Sequence, residues 1–361
     1  MRKTFLEVDL KEFKNNIKKI KEYIGEKEIM PVVKAHAYGT YINKRLDILN
    51  MFNIVAVALV DEAIELRELG YQKEIFVLNQ PDIHEIDLID KYQITVGLSD
   101  EEFLDKMIET NRDYKIHLEI ETGMNRTGIS INNIEKILNK IKNTKIIIEG
   151  IYSHLSSADY DKEYTNNQIE LFKKALTIVK ENGNNPKYIH ISASNGILNY
   201  EPLDFTNMIR PGIIMYGYKS FENSNSIIDT KPICKLKSTI TFIKDVEANT
   251  AISYSQKYIT DSKKRIATIP IGYGDGFRRS LTNKGHVIIN NQKAKIVGAV
   301  CMDSCMVDIT DIDNVNVGDN IIIFDNNIIT LEEIANECDT INYEILCNIN
   351  NRIPRIFINE E

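Results

Sequence analysis

The sequence predicts an N-terminal parallel (β/α)8 barrel, a TIM barrel, followed by a C-terminal mainly β domain. Three observations lead there. The chain has 361 residues, 43% of them apolar, enough for a large core or for two domains. In its first part, eight short β-rich apolar runs alternate with amphipathic helical stretches, the pattern of a parallel sheet crossed by helices. Beyond residue 230 the helical stretches nearly vanish, and short β-runs follow one another between Gly, Asn and Asp turns. The resulting division is a barrel over 10–225 and a β domain over 226–361.

In chain order, the first element is a lone strand over 3–9, with no helix before it, which makes it a candidate to join the second domain. The barrel runs are 29–35, 54–59, 74–79, 94–98, 115–122, 146–155, 188–194 and 205–210. Eight βα units fit a closed barrel better than a doubly wound sheet, which has fewer strands and a Gly-rich first turn. Here the turn after the first run, AHAYGT, has one Gly. Capping-box spacing at Asp82/Glu85 and at Ser99/Glu102 predicts helix starts at both places. The polar stretch 219–230 reads as a linker. The second domain then has β-runs at 232–247, 265–271, 286–300, 305–309 and 319–324, with a capped helical stretch opened by Thr330 and Glu333.

Composition excludes several function classes. Lys plus Arg is 44 and Asp plus Glu is 52, interspersed, for a net charge of −8. A nucleic-acid partner would need clustered cations. The longest purely apolar run, Ile54 to Val60, is far short of the about 20 residues that a membrane helix needs. The N-terminus is charged at once and has no apolar secretory core, so a cytoplasmic location is expected. The five Cys are odd in number and all fall beyond residue 230, which predicts reduced thiols. Cys301 and Cys305 lack a second ligand pair at zinc spacing, so no metal is expected.

In a (β/α)8 barrel the active site forms at the C-terminal ends of the strands. The first run ends at Lys34, the fifth at Glu119–Glu121 leading to Arg126, and the sixth at His154. The seventh ends at Ser194 and the eighth at Arg210-Pro211-Gly212-Ile213. Each has an ordinary explanation alone: a Lys closing a strand, a core His, an RPG turn. Their coincidence at one mouth points to chemistry. Lys34 follows Pro-Val-Val, so its amine is partly desolvated and its pKa lowered, which suits a nucleophile or base. Gly212 and Ile213 occupy the usual barrel phosphate region, and the Ser194 hydroxyl can donate to the same anion. A Schiff-base lysine beside a phosphate cup points to pyridoxal phosphate. A class I aldolase is the alternative, but it leaves the β domain unexplained. The GYGDG at 272–276 follows a strand with no helix behind it, so it reads as a turn rather than a dinucleotide site.

Several strings then show a resemblance. VVKAHAYG, ETGMNRTG, YSHLSSAD, SASNG, RPGIIMYG, AISYS, VCMD and INYEILC resemble the alanine racemase family, the fold-type III pyridoxal phosphate enzymes. The likeness runs from about Phe5 to about Ile358. It implies that Lys34 carries the cofactor and that Tyr38, Ser194, Gly212, Ile213 and Tyr343 hold its phosphate. It implies that Arg126 contacts the cofactor and the substrate carboxylate, that His154 lies beneath the ring, and that Arg210 faces the pyridine nitrogen. In the β domain Tyr254 matches the catalytic tyrosine, Met302 the substrate-carboxylate contact and Tyr273 the entrance. Since the family's Tyr254 and Met302 equivalents reach the partner's site, a head-to-tail homodimer is implied.

The implied activity is interconversion of L- and D-alanine by two-base Cα proton transfer, supplying D-alanine for cell-wall peptidoglycan. Lys34 and Tyr254 are the two bases. A phenol ionises near about 10 in water, so the tyrosine needs a helper, with His154 or Arg210 the candidates. Arg210 keeps its proton at working pH and so leaves the ring nitrogen unprotonated; a decarboxylase of similar barrel type would favour a carboxylate there. A racemase acting on serine or another amino acid, and a non-racemising cofactor-binding homologue, remain as alternatives. The chain also departs from the family pattern at His36, Thr40 and Ala193. The largest departure is Glu119, which stands where the family often has a carbamylated lysine. Glu119 is expected to take over the carbamate's task by pairing with Arg126.

Overall fold

The computed structural model describes residues 3–219 and 227–360, so the middle of the expected linker, 220–226, lies outside the described residues. The first strand, β1 (Phe5–Asp9), alternates buried Leu6 and Val8 with half-exposed neighbours, as a one-faced strand must. Asp9 ends it and caps the helix Leu10–Ile24 by accepting the Glu12 N–H at 3.0 Å. That helix buries Leu10, Phe13, Ile17, Ile20 and Ile24, a 3.6-residue stripe facing the core.

The barrel follows. Its strands are β2 (Glu28–Ile29), β3 (Ile54–Val57), β4 (Glu74–Val77), β5 (Thr95–Leu98), β6 (Tyr114–Glu119), β7 (Ile146–Tyr152), β8 (Tyr188–His190) and β9 (Met208–Ile209). Strands β3 to β8 pair in order and in parallel, and β2 pairs in parallel with β9. The ring closes through two parallel bridges, Val32 to Ala56 and Ala193 to Arg210. These strands read as near-continuous apolar runs because both faces are covered, β3 and β5 being buried at every residue.

The barrel interior also holds polar side chains. His117, Glu119, His190 and Arg210 are all buried there. Space for them is made by small residues: a Cβ at Gly150 would sit 2.6 Å from the His117 ring. Phe76 stacks on His117 with centroids 4.2 Å apart, and Tyr152 stacks on His190 at 5.3 Å.

The second domain contains β10 (Cys234–Thr239), β11 (Phe242–Val246), β12 (Ala251–Ile252), β13 (Tyr258–Ile259), β14 (Lys264–Ile269), β15 (His286–Ile289), β16 (Gln292–Lys295), β17 (Cys305–Asp308), β18 (Asn320–Phe324) and β19 (Arg355–Ile358). One sheet has the order β16-β15-β18-β10-β1-β19; a second has β11-β14-β17. The N-terminal strand therefore lies in the β domain's main sheet, antiparallel to β10 and parallel to β19.

Two local expectations need correction. The helix Glu101–Thr110 is capped by Asp100, whose carboxylate accepts the Phe103 N–H at 2.7 Å, not by Ser99. Ser99 is taken by the Gln80 side chain, so a long-range partner displaced the local box. The β domain also has a second helix, Asn342–Asn348, where one capped helical stretch was expected. It is short and has no side-chain cap, so its sequence carries no start signal. The expected caps at Asp82 and Thr330 do form, with Asp82 opening a 3-10 turn at Ile83–Glu85.

Candidate active site

The strand ends create a cavity of about 250 Å³ at the C-terminal mouth of the barrel. Lys34, Tyr38, Arg126, His154, Ser194, Arg210, Gly212 and Tyr343 all line it. Eight residues singled out from the sequence thus meet in one place although they are spread from Lys34 to Tyr343.

Lys34 stands at the start of an unusual turn. Ala35, His36, Ala37 and Tyr38 have φ of +51°, +53°, +53° and +55°, a left-handed turn built without glycine. Each such L-residue costs roughly 1–2 kcal/mol, so the surrounding structure must hold the turn in place. Burial pushes the Lys34 amine below its ordinary pKa, and the nearby Arg126 charge adds to that; Glu62 opposes it. The amine is therefore closer to its neutral, nucleophilic form than a surface lysine is. Tyr38, at the turn's end, is buried, and burial raises its phenol well above the ordinary value. Its ring lies 6.3 Å from that of Tyr343.

The same cavity holds an anion cup. The Ser194 Oγ accepts the Gly212 N–H at 3.0 Å and the Ile214 N–H at 3.4 Å. A Cβ at Gly212 would lie 2.3 Å from the Tyr38 hydroxyl, so only glycine lets the phenol reach the cup. Ile213 is fully buried beside these amides. The run expected over 188–194 stops being a strand at His190, and Ser194 opens the helix Ser194–Asn199. A hydroxyl, converging backbone N–H groups and a lysine form a donor set suited to a phosphate and an aldehyde, which is what pyridoxal phosphate brings.

Arg210 is 2% exposed, and its terminal nitrogens are fully used. One donates to His190 Nδ1 at 2.6 Å and to the His190 carbonyl at 3.0 Å. The other donates to the Ser153 carbonyl at 2.7 Å and the Ile191 carbonyl at 3.2 Å, with His154 Nδ1 at 3.4 Å. Burial lowers Arg210 to about 10, which still leaves it charged at neutral pH. Since a guanidinium only donates, His190 Nδ1 must accept, and the neutral ring carries its proton on Nε2. That proton is donated to His117 Nδ1 at 2.9 Å. Burial and Arg210 together depress His117 to about 3 and His154 to about 3. All three imidazoles are thus neutral beside a charged arginine.

Glu119 is buried, with Oε2 lacking any hydrogen-bond partner. No ion pair within 4.0 Å joins it to Arg126 among the described residues, which corrects the expected pairing. The glutamate arm is shorter than a carbamylated lysine and stays in the barrel, while Arg126 is exposed at the mouth. Burial raises the Glu119 carboxyl, and Thr127, Arg126 and Tyr152 pull it back only in part. The folded chain therefore holds a proton that the unfolded chain releases above 4.5. Stability should fall as pH rises from that value through the raised one. Glu119→Gln should remove this slope, so melting curves from about pH 4 to about pH 8 should show the variant gaining on the wild type; parallel curves would refute it.

Of the expected residues, Ile213 does not line this cavity, and three more lie exposed away from it. Tyr254 is 69% exposed, Met302 53% and Tyr273 43%, and none of them lines it. Two of them, Tyr273 and Met302, are held together in the β domain instead: the Tyr273 N–H donates to the Cys301 carbonyl at 3.0 Å and the Gly274 N–H to the Met302 carbonyl at 2.8 Å. The GYGDG string is a turn, as expected. Sequence reasoning missed Tyr152, Asn195, His190 and Ile214. Tyr152 had a usable signal, since a strand residue two before His154 shares its face. His190 had none, because its role arises from Arg210 across the barrel.

Comparisons with known proteins extend over nearly the whole chain. The family model for the alanine racemase N-terminal domain matches residues 8–220, and that for the C-terminal domain matches 233–357. The alanine racemase of Clostridium tetani is 39% identical, covering 100% of this chain and 96% of its own. A solved alanine racemase of Clostridium difficile 630 superposes with a TM-score of 0.93 at 34% identity, over 100% of this chain and 97% of that one. The alanine racemase of Bartonella henselae, with covalently bound pyridoxal phosphate, gives 0.90 at 25% identity, over 99% of this chain and 100% of that one. The chain belongs to the alanine racemase family of pyridoxal phosphate-dependent isomerases.

Proposed function

We propose that Lys34 of one chain and Tyr254 of a second copy are the two bases by which this protein interconverts L- and D-alanine. The observation that carries this reading is the meeting of Lys34, the Ser194–Gly212 cup and Arg210 in one cavity, with Tyr254 left exposed elsewhere. Pyridoxal phosphate bound there would supply an electron sink for the pair left behind when the Cα proton departs. The rest falls to this chain's residues. The Ser194 hydroxyl, the Gly212 and Ile213 amides, Tyr38 and Tyr343 hold the phosphate. Arg210, charged and held by four neighbours, faces the ring nitrogen and gives it no proton. Arg126 and Met302 receive the substrate carboxylate. His154 stays neutral beneath the ring. Lys34 holds or takes the proton on one face of Cα, and Tyr254 on the other.

A head-to-tail dimer supplies what one chain's cavity lacks, since Tyr254 and Met302 are exposed in the single chain. D-alanine for peptidoglycan is the product's use, and the cytoplasm its place. No helix among the described residues is long and apolar enough to cross a membrane. The test is to supply the purified protein with pyridoxal phosphate and a panel of L-amino acids, following optical rotation. Alanine should racemise fastest. Faster turnover of serine would reassign the substrate, and failure to bind the cofactor would overturn the reading.

A further inference from the structure

The left-handed turn that carries Lys34 and Tyr38 needs support at both ends. Its far end has it: the Arg355 Nε–H donates to the Gly39 carbonyl at 2.8 Å. Inside the turn, the Ala37 N–H reaches the Val33 carbonyl at 2.9 Å, the Gly39 N–H the Ala35 carbonyl at 2.8 Å, and the Tyr41 N–H the His36 carbonyl at 2.8 Å. The Ala35 N–H has no such partner, because the first donors of any helical turn find no carbonyl behind them. It donates instead to Glu62 Oε1 at 2.6 Å. Glu62 lies in the first turn of the helix Val60–Leu69, and its other oxygen accepts the Ala58 N–H at 2.7 Å and the Leu59 N–H at 3.2 Å. One carboxylate thus ties the strained turn after the first barrel strand to the loop after the second, through three charge-assisted bonds.

We propose that Glu62 is a positioning residue: its carboxylate holds the left-handed turn closed, and so sets where the Lys34 amine and the Tyr38 phenol stand. The consequence for the cofactor rests on the roles given above to Lys34 and Tyr38; the clamp itself does not. Glu62 also lies close enough to Lys34 for its charge to favour the protonated amine. A glutamine in its place has one accepting oxygen and two donors. It can serve the Ala58 and Leu59 N–H groups or the Ala35 N–H, but not both.

Ala35 provides the discriminating test. A glycine accepts φ near +51° without steric cost, so Ala35→Gly removes strain that the clamp otherwise offsets. Four proteins are compared with the wild type: Glu62→Gln, Glu62→Ala, Ala35→Gly and the double variant Glu62→Ala/Ala35→Gly. Two readouts are used, deuterium uptake by the peptide spanning 34–41 before cofactor is added, and the dissociation constant for pyridoxal phosphate by absorbance titration. Glu62→Ala should speed exchange of the turn and weaken cofactor binding by about tenfold each, the scale of one lost charge-assisted hydrogen bond. Glu62→Gln should fall between it and the wild type. Ala35→Gly alone should change little, because the turn is already closed, yet in the Glu62→Ala background it should recover most of both losses. A glutamate that only caps its own helix would give no such rescue, and that result overturns the proposal. So does unchanged exchange of the turn in Glu62→Ala. Normal clamp behaviour in the exchange arm with unaltered cofactor affinity would refute the positioning role and leave the reading of Lys34 to its own variant.

Discussion

Lys34→Ala should abolish turnover in both directions and leave the protein without covalently attached cofactor. Lys34 lies at the cavity's inner wall, and burial with Arg126 nearby keeps its amine primed. Among the described residues no other lysine lines that cavity, so no amine is at hand there to replace it. The loss should be at least the roughly 10²–10⁴ that a positioned base contributes, because the anchor disappears with the base. The fold should survive, since the side chain is only half-buried and donates no hydrogen bond to another residue among the described residues. Borohydride followed by mass spectrometry provides the check. A reduced cofactor adduct on the variant would move the role to a different amine.

Tyr254→Phe should be nearly as damaging, but asymmetric in one measurement. The residue is 69% exposed, so removal of its hydroxyl costs little packing. Steady-state rates must drop in both directions, because one equilibrium constant links them. Solvent exchange separates the faces. In deuterium oxide the variant should still exchange the Cα proton of D-alanine through Lys34, while exchange from L-alanine falls by roughly 10²–10⁴. Equal losses would remove Tyr254 from the L-face. Subunit mixing tests the shared site. In the proposed head-to-tail dimer a Lys34→Ala chain paired with a Tyr254→Phe chain would have one whole site of two, so random re-pairing of equal amounts should restore about a quarter of wild-type activity. No recovery would mean that Tyr254 acts within its own chain.

The neutral imidazoles predict what pH will not do. His117 and His154 are depressed to about 3 by burial and neighbouring cations, so neither titrates between about pH 5 and about pH 8. A step in the rate profile over that range would have to belong to another group.

The sequence by itself determined the barrel, because a period-two or continuous apolar run between amphipathic helices is a local pattern that burial on both faces imposes. It also indicated which side chains meet at the mouth: Lys34, His154, Ser194 and Arg210 each end a run, strand ends share one face of a barrel, and all four line one cavity. Local pattern was less reliable where a distant partner intervened. Ser99 had the spacing of a cap, yet Gln80 holds it and Asp100 does the capping. Glu119 was expected to meet Arg126, yet the length of its arm and the depth of β6 keep the two apart. The tertiary structure alone decided the left-handed turn after Lys34, the Arg210–His190–His117 hydrogen-bond chain and the Glu62 bonds to the Ala35, Ala58 and Leu59 N–H groups. The physical reason is the same in each case. A hydrogen bond between residues tens of positions apart leaves no periodicity in the chain, and strain in a turn is tolerated only because such bonds offset it.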